Sequence, residues 1–164
     1  MIQFCGQDYT TIDSNCRIKF SPRVLNDFLL ACDSSIVLHC LPEGALAVYP
    51  EPVYVKMRQK DSESEKKAGE SMLFRRKLRR FGALSSYEKI SRQGRITIPQ
   101  GFRELTSLTP GSNAVVVGVE IGVEIWNAEI WTRELQMIQK HLSDKGELEM
   151  EMDLNTSNIE GEKC

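Results

Sequence analysis

The chain has 164 residues, of which 41% are hydrophobic, and a formal net charge of −2 at pH 7. This length suits one compact domain, or two small domains that pack closely, with enough apolar residues for a core. The longest apolar runs, such as residues 114–117, have the length of strands and are too short to span a membrane. No basic segment followed by an apolar one opens the sequence, so no signal peptide is expected.

Acidic residues are concentrated at the end of the sequence. Residues 145–164 contain six acidic and two basic side chains, so they carry −4 and the rest of the chain carries +2. In that remainder, positive charge is concentrated in two similar loops, which contain Arg17 and Arg95, and in residues 75–80. A weakly positive body with local basic patches permits nucleic-acid binding without requiring it.

The cysteines and histidines give no pattern of a metal site or a catalytic centre. The five cysteines are irregularly spaced and contain no C-x-x-C pair, so we expect reduced thiols in a cytosolic protein rather than a zinc site or a disulfide framework. His39 and His141 belong to no cluster of ligand residues in the sequence. Because a Ser-His-Asp order, a phosphate loop and an H-E-x-x-H motif are also missing, we expect no cofactor, no metal and no enzyme activity.

One segment of the chain is repeated. Residues 9–20, YTTIDSNCRIKF, recur 78 positions later as residues 87–98, YEKISRQGRITI, and residues 46–54 match residues 123–131 with a shift of 77. An internal repeat of this kind indicates that one small β-rich unit was duplicated and fused. A unit of this size does not bury its own apolar face, so we expect the two copies to pack together.

The first half of each copy predicts a strand, a turn and a second strand. In copy one, Ile18 and Phe20 alternate with basic residues, so apolar and basic side chains face opposite ways. Residues 95–98 repeat the alternation in copy two, where Gly94 gives the turn its backbone freedom. Both segments therefore resemble a β-hairpin with an arginine at the exit of the turn.

A short helix and two further strands complete each copy. Ser21 and Pro22 are a good N-cap and first helical residue in copy one, and Pro99 opens the helix of copy two. The predicted apolar stripes are Val24, Leu25, Phe28 and Leu29 in copy one and Phe102 and Leu105 in copy two. The predicted strands are residues 36–40 and 45–49, and then residues 114–119 and 123–126.

Each copy is followed by a helical segment. After copy one, polar residues 61–69 predict a helix end or a loop, and residues 74–81 predict an amphipathic helix whose polar face is basic. That basic face is a solvated surface, a subunit contact or a second phosphate-binding stripe; it consists of Arg75, Arg76, Lys77, Arg79 and Arg80. After copy two, Asn127 is a plausible cap of a helix that places Trp131, Leu135, Ile138 and Leu142 on one face. The acidic residues beyond 145 predict disorder.

The paired loops resemble the motifs of a known family. Asp13-x-x-x-Arg17 and the run Gln93-Gly94-Arg95-Ile96-Thr97-Ile98-Pro99 are similar to the D-x-x-G-R and apolar-x-apolar-Pro pattern that MraZ proteins carry twice. MraZ proteins are bacterial transcriptional regulators with two fused SpoVT-AbrB domains, and the resemblance extends from about residue 7 to about residue 142. Copy one departs from the pattern at Cys16, where glycine is expected, and copy two departs at Ser91, where aspartate is expected.

The resemblance implies an α+β, β-rich fold class, with two tandem SpoVT-AbrB units that form a pseudo-two-fold, swapped-hairpin β-barrel with flanking helices. The implied SpoVT-AbrB domains are residues 7–54 and 85–128. A helical linker would occupy residues 55–84, a C-terminal helix residues 129–144 and an acidic disordered tail residues 145–164.

The resemblance also implies a DNA-binding role for the two loops. The candidate site residues are Asp13, Arg17, Lys19, Arg92, Gln93 and Arg95. Arg17 and Arg95 would face DNA, because a planar guanidinium can bridge phosphate oxygens or read the edge of guanine. Asp13 would hold the loop, and the other residues would mainly contact phosphates. The alternative is that each arginine forms an ion pair within its own loop.

The expected function is that of a sequence-specific transcriptional regulator, cytoplasmic and nucleoid-associated. By resemblance, it would bind double-stranded DNA at tandem promoter repeats upstream of the division and cell-wall gene cluster, as a homo-oligomer and in the form of a ring. No membrane and no small-molecule substrate are expected. Two alternatives stay open: an antitoxin-like protein whose acidic tail binds a protein partner, and a degenerate member that keeps the fold but binds DNA poorly.

Overall fold

The computed structural model describes residues 2–59 and 64–143. The chain divides into two compact units, one that ends at Ala128 and one that begins at Glu129. In chain order the first unit contains β1 (Gln7–Thr11), β2 (Arg17–Lys19), α1 (Pro22–Cys32), β3 (Ser35–Cys40), β4 (Leu46–Pro50), α2 (Glu51–Gln59), α3 (Ser64–Glu70), α4 (Met72–Ala83), β5 (Ser85–Lys89), β6 (Arg95–Thr97), α5 (Gln100–Thr106), β7 (Asn113–Gly118) and β8 (Val123–Asn127). The described part of the second unit is the helix α6 (Ala128–His141) from its second residue onward, and the two residues that follow it. The disorder expected for residues 145–164 falls outside the described residues.

Six strands form an antiparallel sheet in the order β1-β7-β8-β4-β3-β5. The first strand of each repeat pairs with the third strand of the other, since β1 pairs with β7 and β5 pairs with β3. At the centre, β4 pairs with β8, and Ala47 lies opposite Glu124, its counterpart in the other repeat. The expected packing of one copy against the other therefore takes the form of one continuous sheet.

The remaining two strands, β2 and β6, form a separate antiparallel ribbon. Ile18 lies opposite Ile96, Arg17 opposite Thr97 and Lys19 opposite Arg95. Ile18 and Ile96 are also equivalent positions of the two repeats. A local two-fold relationship therefore runs through the middle of this β2–β6 ribbon.

The core contains apolar side chains from both repeats. Its largest fully buried members are Phe20, Phe28, Ile12, Ile18, Ile36, Leu38, Leu46, Ile98, Leu108 and Ile125. Phe28 of α1 packs between two other rings, with centroids 4.7 Å from Phe4 and 5.5 Å from Phe20. Burial of this amount of apolar surface is the dominant stabilising contribution.

The helix of copy one begins where the sequence predicts, whereas the helix of copy two begins one residue later than predicted. Ser21 is the N-cap of α1 and its Oγ accepts a hydrogen bond from the Val24 amide, as predicted. In copy two, Pro99 occupies the N-cap position, one residue before α5 begins. The predicted stripe there is wrong at Leu105, which is 55% exposed; Thr106, one residue on, is buried and donates to the Phe102 carbonyl.

Two expectations about the β structure need correction. The β-turn-β segments are not paired hairpins, because the two arms of each turn join different sheets. A closed barrel is not found among the described residues either: the six-stranded sheet ends in β1 on one side and β5 on the other. The coarser prediction, an α+β chain rich in antiparallel strands, is confirmed.

Candidate nucleic-acid interface

The two arginine loops share one backbone hydrogen-bond pattern. In copy one, the Asp13 amide donates to the Arg17 carbonyl at 3.0 Å and the Cys16 amide donates to the Asp13 carbonyl at 3.0 Å. In copy two, the equivalent bonds from Ser91 to Arg95 and from Gly94 to Ser91 are both 2.9 Å long. The repeat seen in the sequence therefore extends to the geometry of the turns.

Each turn needs one residue in the left-handed region of backbone space. Gly94 has a φ of 78° and Cys16, at the equivalent place, has a φ of 58°. Glycine adopts this region without steric cost, whereas a residue with a Cβ does not. Cys16 is nevertheless 1% exposed, and its Sγ donates to the Leu108 carbonyl at 3.4 Å. Burial of the thiol therefore offsets part of the cost of the missing glycine.

The two loops differ in the side chain that holds them. Asp13 accepts hydrogen bonds through Oδ1 from the amides of Asn15 and Arg17, both at 2.9 Å, and through Oδ2 from Arg17 Nε at 3.0 Å. The pKa of Asp13 is lowered, and the hydrogen bond from the Arg17 amide is the largest cause. Desolvation is next in size and opposes it, while the Arg17 side chain and the Asn15 amide lower the pKa further. Arg17 therefore makes the intra-loop ion pair that the sequence left as an alternative.

In copy two the weaker acceptor Ser91 replaces the carboxylate. Ser91 Oγ accepts from the Arg95 amide at 3.0 Å, and the Arg95 guanidinium donates to Gln93 Oε1 at 2.6 Å. No ion pair to Arg95 is found among the described residues, in contrast to Arg17. The Arg95 side chain is consequently the less neutralised of the two cations.

Backbone hydrogen bonds tie each loop to the other repeat. The Phe20 amide donates to the Gly94 carbonyl at 2.8 Å, and the Ile98 amide donates to the Cys16 carbonyl at 2.9 Å. These two bonds extend the β2–β6 ribbon at both ends. They fix the two loops relative to each other as one structural unit.

The ribbon has one apolar face and one polar face. Ile18 and Ile96 are buried, and because side chains alternate along a strand, the flanking side chains of β2 and β6 point the opposite way. That polar face carries Arg17, Lys19, Arg95 and Thr97. Arg17 and Arg95 are half-buried, whereas Lys19 and Thr97 are exposed.

The structure brings the predicted site residues to this ribbon and its loops. Arg92 and Gln93 lie exposed at the tip of the copy-two loop, beside Ser91. Thr97 lies on the same face but is not among the site residues predicted from the sequence. The repeat could have identified it, because it stands 78 positions after Lys19. The α4 basic residues form a different group, in which residues 75–77 and 79 are exposed and Arg80 is half-buried.

Within the described ranges, no group of three or more His, Cys, Asp or Glu side chains is placed to hold a metal ion. In the same ranges, no helix combines the length and the apolar character needed to cross a membrane.

The fold and the candidate site define a class of protein. It is an α+β chain built from a duplicated β-rich unit, with an arginine loop in each copy. A family model described as "MraZ protein, putative antitoxin-like" matches residues 88–152. A protein named transcriptional regulator MraZ from Desulforamulus reducens is 31% identical over 130 residues, which cover 79% of this chain and 85% of that protein. The chain belongs to the MraZ family.

Proteins of the same name from two other bacteria give shorter matches. The one from Corynebacterium kroppenstedtii is 33% identical over 91 residues, or 56% of this chain and 60% of that protein. The one from Mycobacterium tuberculosis H37Rv is 29% identical over 101 residues, or 62% of this chain and 67% of that protein.

Proposed function

We propose that this chain is a DNA-binding transcriptional regulator and that the polar face of the β2–β6 ribbon, with its two loops, contacts DNA. The observation that carries the proposal is the direct cross-strand pairing of Lys19 with Arg95. Like charges placed opposite each other in a sheet are destabilising. Their placement at the solvent face is accounted for if an anionic partner neutralises them.

The ribbon has the shape that this role requires. The major groove of B-DNA admits a two-stranded β-ribbon, and arginine can bond guanine through O6 and N7. Arg95 and Arg17 would read bases or bridge phosphates, while Lys19, Arg92 and Gln93 would position the loops on the backbone. Asp13 would orient Arg17, which must exchange its ion pair for a DNA contact.

The first strand of each repeat pairs with a strand of the other repeat. This exchange of strands supports a pseudo-two-fold, swapped-hairpin origin of the fold. In this interpretation residues 7–54 and 85–128 are the two SpoVT-AbrB domains, residues 55–84 are a helical linker and residues 129–144 a C-terminal helix. The acidic residues 145–164, which this interpretation assigns to a separate tail, lie outside the described residues. Exchange of the first strand between repeats accounts for arms that leave one turn and enter two different sheets.

We infer further that the protein acts as a homo-oligomer on tandem promoter repeats. Two arginine loops can contact only a few phosphates, so a single chain would bind DNA weakly. Several linked copies on one DNA molecule bind more tightly, because the first copy to bind raises the effective concentration of the others at the DNA. Both edges of the six-stranded sheet support such contacts, since Tyr9 on β1 is 76% exposed and Tyr87, its counterpart on β5, is 63% exposed. Within the described residues β1 and β5 are the outermost strands of this sheet, and outermost strands are sites for association with further strands. A closed ring in the cytoplasm, associated with the nucleoid, is the assembly we propose.

Fluorescence anisotropy tests the proposal. A labelled duplex from the upstream region of the gene is titrated with the full chain at two salt concentrations, beside a scrambled duplex of equal length. Binding that prefers the upstream sequence and weakens as salt rises is expected. Equal affinity for both duplexes would contradict a sequence-specific regulator.

The description of the family model as antitoxin-like favours a second candidate function, in which a protein partner binds the acidic segment 145–164. This candidate predicts that a basic protein co-purifies with the full chain and is lost when residues 145–164 are removed. Retention of the partner by the shortened chain would contradict it.

A further inference from the structure

The helix α4 lies on the side of the six-stranded sheet that faces away from the β2–β6 ribbon. Leu38 of β3 belongs to the core cluster that contains Ile18 and Ile96 of the ribbon. Because side chains alternate along a strand, the next residue, His39, points to the opposite face of the sheet. There its ring stacks on Phe81 of α4, with centroids 4.9 Å apart. The sheet therefore separates α4 from the arginine loops.

The side of α4 that is turned to solvent is basic. Phe74, Leu78 and Phe81 are half-buried. Three exposed arginines lie within about one turn of the helix, and we call them the α4 stripe: Arg75, Arg76 and Arg79. Gly82 follows Arg79 by three residues and so lies on the same side of the helix. A Cβ added at Gly82 would meet no atom within 4 Å, so this side is open to a large partner.

The positive charge of the α4 stripe is not neutralised within the described chain. The helix Met72–Ala83 contains no acidic residue, and no ion pair to the three arginines is found in the described ranges. Arg75 donates to the Ala68 carbonyl at 2.9 Å, but this neutral acceptor leaves the charge in place. Arg79 follows Arg75 by four residues and Arg76 by three, and like charges at such spacings destabilise a helix. A partner that supplies negative charge would relieve this repulsion.

The spacing of the α4 stripe favours a polymer of negative charges over a single small anion. A helix rises about 1.5 Å per residue, so Arg75 and Arg79 stand roughly 6 Å apart along its axis. Duplex DNA carries one negative charge per about 1.7 Å of its axis, so a row of arginines can face several phosphates at once. The planar fork of arginine also matches the geometry of a phosphate group.

A lipid surface fits α4 less well than DNA does. A helix that lies in a membrane interface inserts its apolar side among the lipids. In α4 the aromatic residues are half-buried, and Phe81 packs against the sheet. The exposed side therefore offers charge rather than a continuous apolar surface.

We propose that the α4 stripe binds the phosphate backbone of duplex DNA without reading its sequence. Phosphate contacts fix position and carry no sequence information, so the stripe would add affinity but no preference. A consequence rests on the proposed function of the β2–β6 ribbon. With one duplex on the ribbon and a second on α4, a single chain would hold two DNA segments on opposite sides of its sheet.

The first test measures DNA binding when the ribbon is disabled. A chain that carries Arg17→Ala and Arg95→Ala is titrated into a labelled scrambled duplex and followed by fluorescence anisotropy. Residual, salt-sensitive binding is expected in the range of non-specific complexes, roughly 10⁻⁴–10⁻⁶ M. Addition of Arg76→Gln and Arg79→Gln should weaken it at least about tenfold. Arg76→Lys with Arg79→Lys, which keeps the charge, should retain most of it. Absence of residual binding, or equal binding by the glutamine and lysine variants, would overturn the proposal.

The same α4 changes are also measured in the wild-type background. Arg76→Gln with Arg79→Gln should weaken binding of the upstream duplex and of the scrambled duplex by the same factor. Arg133→Gln with Lys140→Gln removes two exposed cations of α6 and is the matched control, which should bind like the wild type. Because these four side chains are exposed, both variants should fold, and thermal unfolding verifies this. Loss of affinity for the upstream duplex alone would contradict a contact that is independent of sequence.

Two further measurements exclude the other roles of the stripe. Light scattering should show the same subunit number for the wild type and for the Arg76→Gln/Arg79→Gln variant; a smaller assembly would overturn the proposal by identifying a subunit contact. Vesicles that contain phosphatidylserine should bind the wild type less tightly than duplex DNA does. Tighter binding to these vesicles, lost in the glutamine variant, would replace DNA by an anionic membrane.

A bridging assay tests the consequence for two DNA segments. The full chain is loaded on a bead-bound upstream duplex and offered a labelled second duplex. The wild type should retain the second duplex, and Arg76→Gln with Arg79→Gln should retain at least about tenfold less at equal protein loading. Equal retention would overturn bridging through α4. Failure of the proposed function would look different, because the Arg17→Ala/Arg95→Ala chain would then bind both duplexes like the wild type while the α4 variant still lost affinity.

Discussion

Ile18 lies directly opposite Ile96 in the β2–β6 ribbon, and the two residues are the same position of the two repeats. Both are buried beneath the face that carries Arg17 and Arg95. The pair joins the repeats and supports the arginine loops on either side. The same substitution at either position should therefore change the free energy of unfolding by a nearly equal amount.

Ile18→Val and Ile96→Val test this equivalence. Each removes one buried methylene and should lower the free energy of unfolding by about 0.5–1.5 kcal/mol. The two losses should agree closely and couple in the double variant, since the residues are direct cross-strand neighbours. Chemical denaturation measures all three values. Ile121→Val, at a site that is 46% exposed, is the control and should change stability by less than about 0.5 kcal/mol. Clearly unequal losses at positions 18 and 96 would contradict the two-fold arrangement.

Gly94→Ala should destabilise the protein by about 1–2 kcal/mol, because φ is 78° there. The added Cβ would also come within 3.2 Å of Leu25 Cδ2. Gly82→Ala is the matched control, because Gly82 lies in α4, a Cβ added there would meet no atom within 4 Å, and alanine favours helix. Urea unfolding should separate the two variants clearly. Equal stability of both would show that the copy-two turn does not need the left-handed conformation.

Asp13→Ser should make loop one resemble loop two and should alter the dependence of stability on pH. Folding lowers the pKa of Asp13 from its ordinary value of 3.8, so the carboxylate stabilises the folded state above that pH. This stabilisation is lost as pH falls below 3.8 toward the lowered pKa. Unfolding midpoints of the two proteins should therefore differ at pH 7 and converge in acid. A difference that stays constant from neutral pH to strongly acidic pH would contradict this role of Asp13.

The sequence predicted the repeat, most elements and the turn residues, because these depend on local chemistry. Ser21 capped its helix as expected, and the alternation around Ile18 gave the correct buried face. Strand partners were not predictable in the same way: a five-residue strand such as β1 does not specify which strand of another repeat it joins. The hairpin interpretation failed for that reason.

Within the candidate site, the two arginines and their two-fold pattern could be predicted from the repeat. The side-chain partner of each arginine could not. The sequence placed Asp13 four residues before Arg17, but only the structure shows the ion pair between them and its absence at Ser91 in the described chain.

The most direct test of the account is the salt dependence of DNA binding by the Arg17→Ala/Arg95→Ala double variant. Arg133→Ala, which removes an exposed arginine of α6 outside the loops, is the control. Each phosphate contact that is lost should reduce the slope of log affinity against log salt by about 0.9. We expect weaker binding and a shallower slope in the double variant, and wild-type values in the control. An unchanged slope and affinity in the double variant would contradict the assignment of the β2–β6 ribbon as the DNA-binding surface.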